Sequence, residues 1–110
     1  MSESYFFEPA AQRELEAAAD FYDLESPGLG LRFGDAVMAA IESLLEFPES
    51  RPVLLGQTRK LVVARYPYSI LYRFDGDLIV ISAVAHQSRR PGYLKDRLWP
   101  LAWNRTKAST

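Results

Sequence analysis

The chain contains no cysteine. It therefore forms no disulfide, offers no thiolate to a metal and has no cysteine nucleophile. It has a single histidine, His86, so a histidine-built metal site is excluded as well. Long apolar runs are missing: the longest, Leu78 to Ala85, is broken only by Ser82 and is far too short to cross a bilayer. No basic residue precedes an apolar stretch near the N-terminus, so no signal peptide is legible and the cytoplasm is the expected location. A phosphate-binding loop is also lacking. Pro27-Gly28-Leu29-Gly30 carries two glycines but no Lys-Ser/Thr, and it follows a helical pattern rather than a strand, which reads as an interhelical turn. Carboxylates are plentiful but stand at no metal-ligand spacing, and Ser69, Ser82 and Ser88 lack the context of a nucleophilic serine. No metal and no cofactor is expected.

The 110 residues suffice for one domain with one modest core. The hydrophobic share of 48% and charged share of 25% are those of an ordinary globular chain. The formal net charge of −1 conceals a strong asymmetry. Residues 1–50 hold eleven acids and two bases, a balance of −9, whereas residues 51–110 hold eleven bases and three acids, a balance of +8. If the halves form different faces, the basic one suits an acidic partner or nucleic acid. Attraction between the two faces across the domain accounts for the same charges equally well.

Ser4 to Phe7 reads as a short edge strand, closed by Glu8-Pro9. From Ala10 to about Leu24, Leu15, Ala18, Ala19 and Tyr22 recur at helical spacing, with Arg13, Glu16, Asp20 and Asp23 opposite. After the breaker cluster Ser26 to Gly30, a second apolar stripe from Leu29 to Leu45 predicts another helix, ended by Pro48. Pro48 to Gln57 reads as a loop whose Val53-Leu54-Leu55 tucks under the domain. Thr58 to Tyr66, Ser69 to Phe74 and Leu78 to His86 read as three strands, the last two joined at Asp75-Gly76. The expected fold is a two-layer α+β domain: a short N-terminal strand, a helical hairpin, then an antiparallel β-meander. Acid should lie on the helical layer and base on the sheet. The domain is expected to span residues 1–103, with a disordered tail at 104–110.

One cluster carries chemistry: His86, Arg89, Arg90, Tyr93 and Arg97, placed where the most apolar strand emerges. Histidine can move a proton, guanidinium holds phosphate, and tyrosine can stack or carry a proton. This is a toolkit for a metal-independent ribonuclease, and His86, Arg89 and Tyr93 are then the catalytic candidates. Arginine and tyrosine are equally the favoured contacts of a protein interface. A third reading is structural, with the histidine closing the strand and the arginines paired to helix acids. Downstream, Leu98, Trp99 and Trp103 are unusually apolar for a terminus. They either pack on the chain's own sheet or line a groove for a partner segment.

The order and spacing of several pieces resemble the RelE/ParE superfamily of bacterial type II toxin–antitoxin toxins. These pieces are Ala18 to Tyr22, Ser26 to Gly30 with Arg32-Phe33, Pro48, Arg59-Lys60, Tyr66-Pro67-Tyr68-Ser69-Ile70-Leu71-Tyr72, and His86-x-x-Arg89-x-Pro91-x-Tyr93-x-x-x-Arg97. The resemblance covers about residues 5–97. It implies a helical hairpin on a twisted antiparallel sheet, a role in growth arrest and plasmid stabilisation, and a cognate antitoxin bound in a hetero-oligomer. The superfamily divides by target. RelE-like members cleave messenger RNA on the ribosome; ParE-like members poison DNA gyrase. RelE-like members carry arginines where this chain has Ser69 and Gln87, and clustered positive charge is what a phosphorane transition state needs. The resemblance therefore implies the ParE-like branch, with the ribosome-dependent endoribonuclease as the alternative. His86, Arg89, Arg90, Tyr93 and Arg97 become expected target contacts, and Leu98, Trp99 and Trp103 expected antitoxin contacts.

Overall fold

Strand pairing sets the architecture of residues 5–88, the part of the chain that the computed structural model describes. The elements run β1 (Tyr5–Phe7), α1 (Pro9–Glu25), α2 (Leu29–Glu42), β2 (Val53–Leu55), β3 (Thr58–Val62), β4 (Tyr68–Asp75) and β5 (Leu78–His86). The five strands form one sheet in the order β1-β5-β4-β3-β2. Neighbours from β2 to β5 are antiparallel, whereas β1 lies parallel to β5, with Phe6 opposite Val80. The expected α+β layering is what the structure has, and the expected N-terminal edge strand is present. The C-terminal limit at residue 103 and the tail 104–110 lie outside the described residues.

The β1–α1 junction follows from Pro9. Glu8 still donates its N–H to the Ile81 carbonyl at 3.0 Å, extending the β1–β5 ladder by one bond. Proline has no N–H to give, and its fixed φ suits the first helical position, so the chain turns there. The interhelical turn needs both of its glycines, for different reasons. Gly28 has φ +89°, a left-handed conformation. At Gly30 the two helices touch: a Cβ there would press on the Ala19 carbonyl oxygen and lie 2.8 Å from the Asp23 carboxyl carbon. Asp23 Oδ1 accepts the Gly30 N–H at 2.8 Å, joining the end of α1 to the start of α2.

α2 presents Phe33, Val37 and Ile41, all fully buried, to the sheet, and Leu44 just beyond its end joins them. Their partners are Leu61, Ile70, Tyr72, Ile79, Ile81 and Val84 from three strands. Each such side chain contributes on the order of 1.5–3 kcal/mol of burial. α2 stops at Glu42 rather than near Leu45. The Ser43 hydroxyl bonds back to the Ala40 carbonyl, and the Leu44 N–H reaches the Ile41 carbonyl at 2.9 Å, so the last turn tightens. The following loop is held by the Tyr72 hydroxyl, which donates to the Pro48 carbonyl at 2.7 Å.

Three expectations need correction. Val53–Leu55 does not tuck under the domain but forms the edge strand β2. It is joined to β3 by a Gly56-Gln57 turn with Gly56 at φ +58°, and Val53 and Leu54 stay exposed. Backbone bonds to β3 hold it, and of its three side chains only Leu55 is partly buried, against Leu71 and Ala83. The expected strand from Thr58 to Tyr66 ends at Val62, because the chain turns through Arg65 at φ +73°. In the last hairpin the two-residue loop is Gly76-Asp77 rather than Asp75-Gly76. Asp75 pairs with Leu78, and Gly76 at φ +69° supplies the first turn conformation.

β5 departs from simple alternation. Leu71 faces Ala83 but Tyr72 faces Ile81, so Ser82 is an extra residue, a β-bulge. Ile79 and Ile81 face the helices before the bulge and Val84 after it, while Ala83 joins Leu71 and Leu55 in a smaller cluster. The bulge thus changes which of the last positions of β5 face the helical layer. The helices carry seven acids against Arg13 and Arg32, and strands β3 and β4 carry Arg59, Lys60 and Arg73 against Asp75, as the charge asymmetry predicts. Arg73 meets Glu8 at 3.4 Å across the layers, a part-exposed pair of small energetic weight.

Candidate functional site

His86 ends β5, half-buried, and the bulge sets it opposite Tyr68, the first residue of β4. The two rings meet edge to face, with centroids 5.1 Å apart at 80°. The Gln87 N–H closes the strand pair on the Pro67 carbonyl at 2.8 Å. The Ser88 N–H donates to His86 Nδ1 at 2.9 Å. An accepting Nδ1 carries no proton, so the neutral ring bears its hydrogen on Nε2.

Tyr68 is one wall of an aromatic box. Phe33 lies 5.0 Å from Tyr68, 5.2 Å from Tyr66 and 5.1 Å from Tyr22, and Tyr22 lies 5.4 Å from Tyr66. Tilted and edge-on pairs of this kind add roughly 0.5–1.5 kcal/mol beyond area burial. The box fastens both helices to the β3–β4 turn and makes a rigid mount for His86. Burial, with Tyr68, Tyr66 and Glu25 as lesser causes, raises the Tyr22 phenol above its ordinary pKa.

Beside His86 opens a cavity of about 170 Å³, walled by Glu14, Ala17, Ala18, Phe21, Tyr68 and Val84. Glu14 reaches across from α1, and its Oε1 accepts the Val84 N–H at 2.9 Å. β1 pairs only as far as Ile81, so Val84 lies beyond its reach, and the carboxylate takes the place of a strand partner. No arginine or lysine lines this cavity among the described residues. Phe21 on its rim is 53% exposed and Leu24, one turn on, 87%, so an apolar stripe of α1 leads into the cavity.

Of the residues singled out from sequence, the structure places His86 alone. Arg89, Arg90, Tyr93 and Arg97 lie outside the described residues, as do Leu98, Trp99 and Trp103. Ser69, where RelE-like members carry an arginine, is buried in the middle of the sheet opposite Val62 and Ala85, and Gln87 is exposed. Sequence reasoning missed Glu14, Phe21 and Tyr68. The first two were legible as the i, i+7 flanks of Ala18 on α1. Tyr68 was not: without the bulge, counting back from the hairpin sets it opposite Ala85. Among the described residues no group of histidines and carboxylates could hold a metal ion, and no helix is long and apolar enough to cross a membrane.

A helical hairpin packed on a mostly antiparallel sheet, with its conspicuous side chains at the open end of the last strand, defines a class of small α+β proteins. Residues 5–91 match the family described as the ParE toxin of the type II toxin-antitoxin system, parDE, and the chain belongs to that family. A protein named "Putative toxin Y4kP" from Sinorhizobium fredii is 33% identical over 79 residues, covering 70% of this chain and 82% of that protein. The fold is also that of a solved structure titled chromosomal ParDE TA system from P. aeruginosa. Its TM-score is 0.68 at 23% identity, over 76% of this chain and 94% of the other.

Proposed function

We propose that this chain is a cytoplasmic toxin that arrests growth by binding and inhibiting DNA gyrase, and that a cognate antitoxin neutralises it in a hetero-oligomer. Family membership supports the toxin reading. The observation that carries the choice of target is the chemistry around His86. Its ring is packed against Tyr68, its Nδ1 is occupied by Ser88, and the charged group on the adjoining cavity wall is the Glu14 carboxylate. A carboxylate beside the scissile phosphate would oppose the charge that develops in RNA cleavage. The rigid aromatic mount with exposed Phe21 at its margin suits a protein contact instead. In this reading His86, Arg89, Arg90, Tyr93 and Arg97 touch the target rather than catalyse.

The test sets purified toxin against gyrase and against translating ribosomes. The expected result is loss of supercoiling or a stabilised gyrase cleavage complex, with messenger RNA left intact. Arg89→Ala and Tyr93→Ala should each lose gyrase inhibition at unchanged melting temperature, a hot-spot loss of about 2 kcal/mol or more in binding. Messenger RNA cut on the ribosome with gyrase untouched would move the chain to the ribonuclease branch.

A further inference from the structure

The helices cover one face of the sheet, yet the opposite face is buried as well. Every residue of β5 from Ile79 to Ala85 is buried, with no break in the run. A strand covered on one side alternates between buried and exposed positions, whereas an unbroken run marks cover on both sides. Ile79, Ile81 and Val84 belong to the helical core. Val80, Ala83 and Ala85 face the other way. β4 adds Ser69 and Leu71 to that outer face, paired with Ala85 and Ala83. Leu71 and Ala83 are both 0% exposed.

Among the described residues, the partly buried hydrophobic side chain packed on Leu71 and Ala83 is Leu55, which reaches over from β2 at the far edge of the sheet. The Ser69 hydroxyl is buried on this face without a hydrogen-bond partner. A hydroxyl open to water would bond to it, so an apolar cover lies above Ser69. The other apolar surface, the Phe21 and Leu24 stripe of α1, is exposed and uncovered. Residues 89–110 follow the described chain and hold the apolar stretch from Leu98 to Trp103. Pro91-Gly92, a turn signal, stands between β5 and that stretch. Ala83 lies about 17 Å back along the strand from Ser88 at roughly 3.3 Å per residue. From Ser88 on to Leu98 the chain can span about 33 Å, which is ample for a return over the sheet.

We infer that the stretch from Leu98 to Trp103 folds back over the outer face of β4 and β5 and seals it, with Trp99 and Trp103 laid against Leu71, Ala83 and Ala85. Each tryptophan brings about 150–250 Å² of surface to such a contact, and β4 and β5 offer a flat apolar seat of small side chains. Of the two roles that the sequence leaves open for Leu98, Trp99 and Trp103, this is packing on the chain's own sheet. The sealed face carries Ser69, the position at which RelE-like members have an arginine, so a substrate RNA would find it closed. The inference holds whichever target the toxin has.

The test uses the full chain, whose two tryptophans both lie in this stretch, so tryptophan fluorescence reports on it alone. In the wild type, emission should lie to the blue of free N-acetyltryptophanamide, and acrylamide should quench it several-fold less. Both properties should persist on dilution. Ser69→Arg plants a charge on the outer face and leaves the helical core alone. It should shift the emission to the red and restore quenching, while far-ultraviolet circular dichroism keeps the signal of helices and sheet. Leu101→Asp alters no described strand, should do the same, and decides the matter if Ser69→Arg does not fold. Phe21→Asp, on the exposed stripe of α1, should fluoresce as the wild type does. Wild-type tryptophans quenched as freely as the reference compound would overturn the inference, as would shielding retained in the folded Ser69→Arg and Leu101→Asp variants. Shielding lost in Phe21→Asp but kept in Ser69→Arg would move the stretch to α1 and overturn it too. Shielding lost on dilution would mean that a second copy supplies the cover, which overturns the fold-back within one chain.

Discussion

Gly30→Ala distinguishes helix propensity from helix packing, because the two predict opposite signs. Gly30 lies in the first turn of α2, where replacing glycine by alanine in an isolated helix stabilises by about 0.8–1 kcal/mol. In the folded protein the added methyl meets the Ala19 carbonyl oxygen and the Asp23 carboxylate, the latter at 2.8 Å. The carbonyl belongs to helical backbone and cannot swing aside. The hairpin must open, which costs roughly 1–3 kcal/mol as overpacking. Opening also stretches the 2.8 Å bond from the Gly30 N–H to Asp23, a charge-assisted bond of about 1.5–3 kcal/mol. Set against the propensity gain, the net loss is about 1.5–5 kcal/mol. At roughly 4–8 °C per kcal/mol for a domain of this size, the melting midpoint should fall by at least about 6 °C. Circular dichroism melts of parent and variant measure it. An unchanged or raised midpoint would refute the claim that the hairpin is closed by contact at Gly30. Asp23→Ala, which removes the bond without adding bulk, should fall between the two.

Two further perturbations probe single buried bonds. Tyr72→Phe strands the Pro48 carbonyl and should cost about 1 kcal/mol at neutral pH, read by urea denaturation. Burial raises the Tyr72 phenol above its ordinary value of 10.0, as it does Tyr22. Above that pH the unfolded chain releases protons that these two tyrosines retain in the folded chain, so their contribution to stability is constant below pH 10 and is lost as pH rises through the folded values. The Tyr72→Phe variant should show a shallower alkaline decline than the parent; identical slopes would mean that the buried phenol does not contribute. Glu14→Ala leaves the Val84 N–H without its acceptor and should cost about 1.5–3 kcal/mol, whereas Glu14→Gln keeps an oxygen in place and should recover part of that. Equal losses in both would indicate that the charge, not the acceptor, matters at that edge of β5.

Local pattern was enough to read the elements and their order. Helical spacing in α1 and α2, the breakers from Ser26 to Gly30, and the apolar run of β5 are all written in neighbouring residues, and β5 runs from Leu78 to His86 as read. The opposite charges of the two layers and the place of His86 at the strand's open end were legible for the same reason. What lay between segments was not. The parallel pairing of β1 with β5, the edge strand at Val53–Leu55 and the smaller core around Leu71 and Ala83 all depend on chain meeting chain across long separations. The site shows this most clearly. Leu78 to His86 announces a strand, but no local signal marks Ser82 as the residue that β4 leaves unmatched. The bulge lies between two cores, one under the helices and one around Leu71 and Ala83, whose members are drawn from distant segments. The bulge shifts the register by one, sets His86 against Tyr68 rather than Ala85 against it, and the Glu14 carboxylate meets the N–H of Val84 just beyond it.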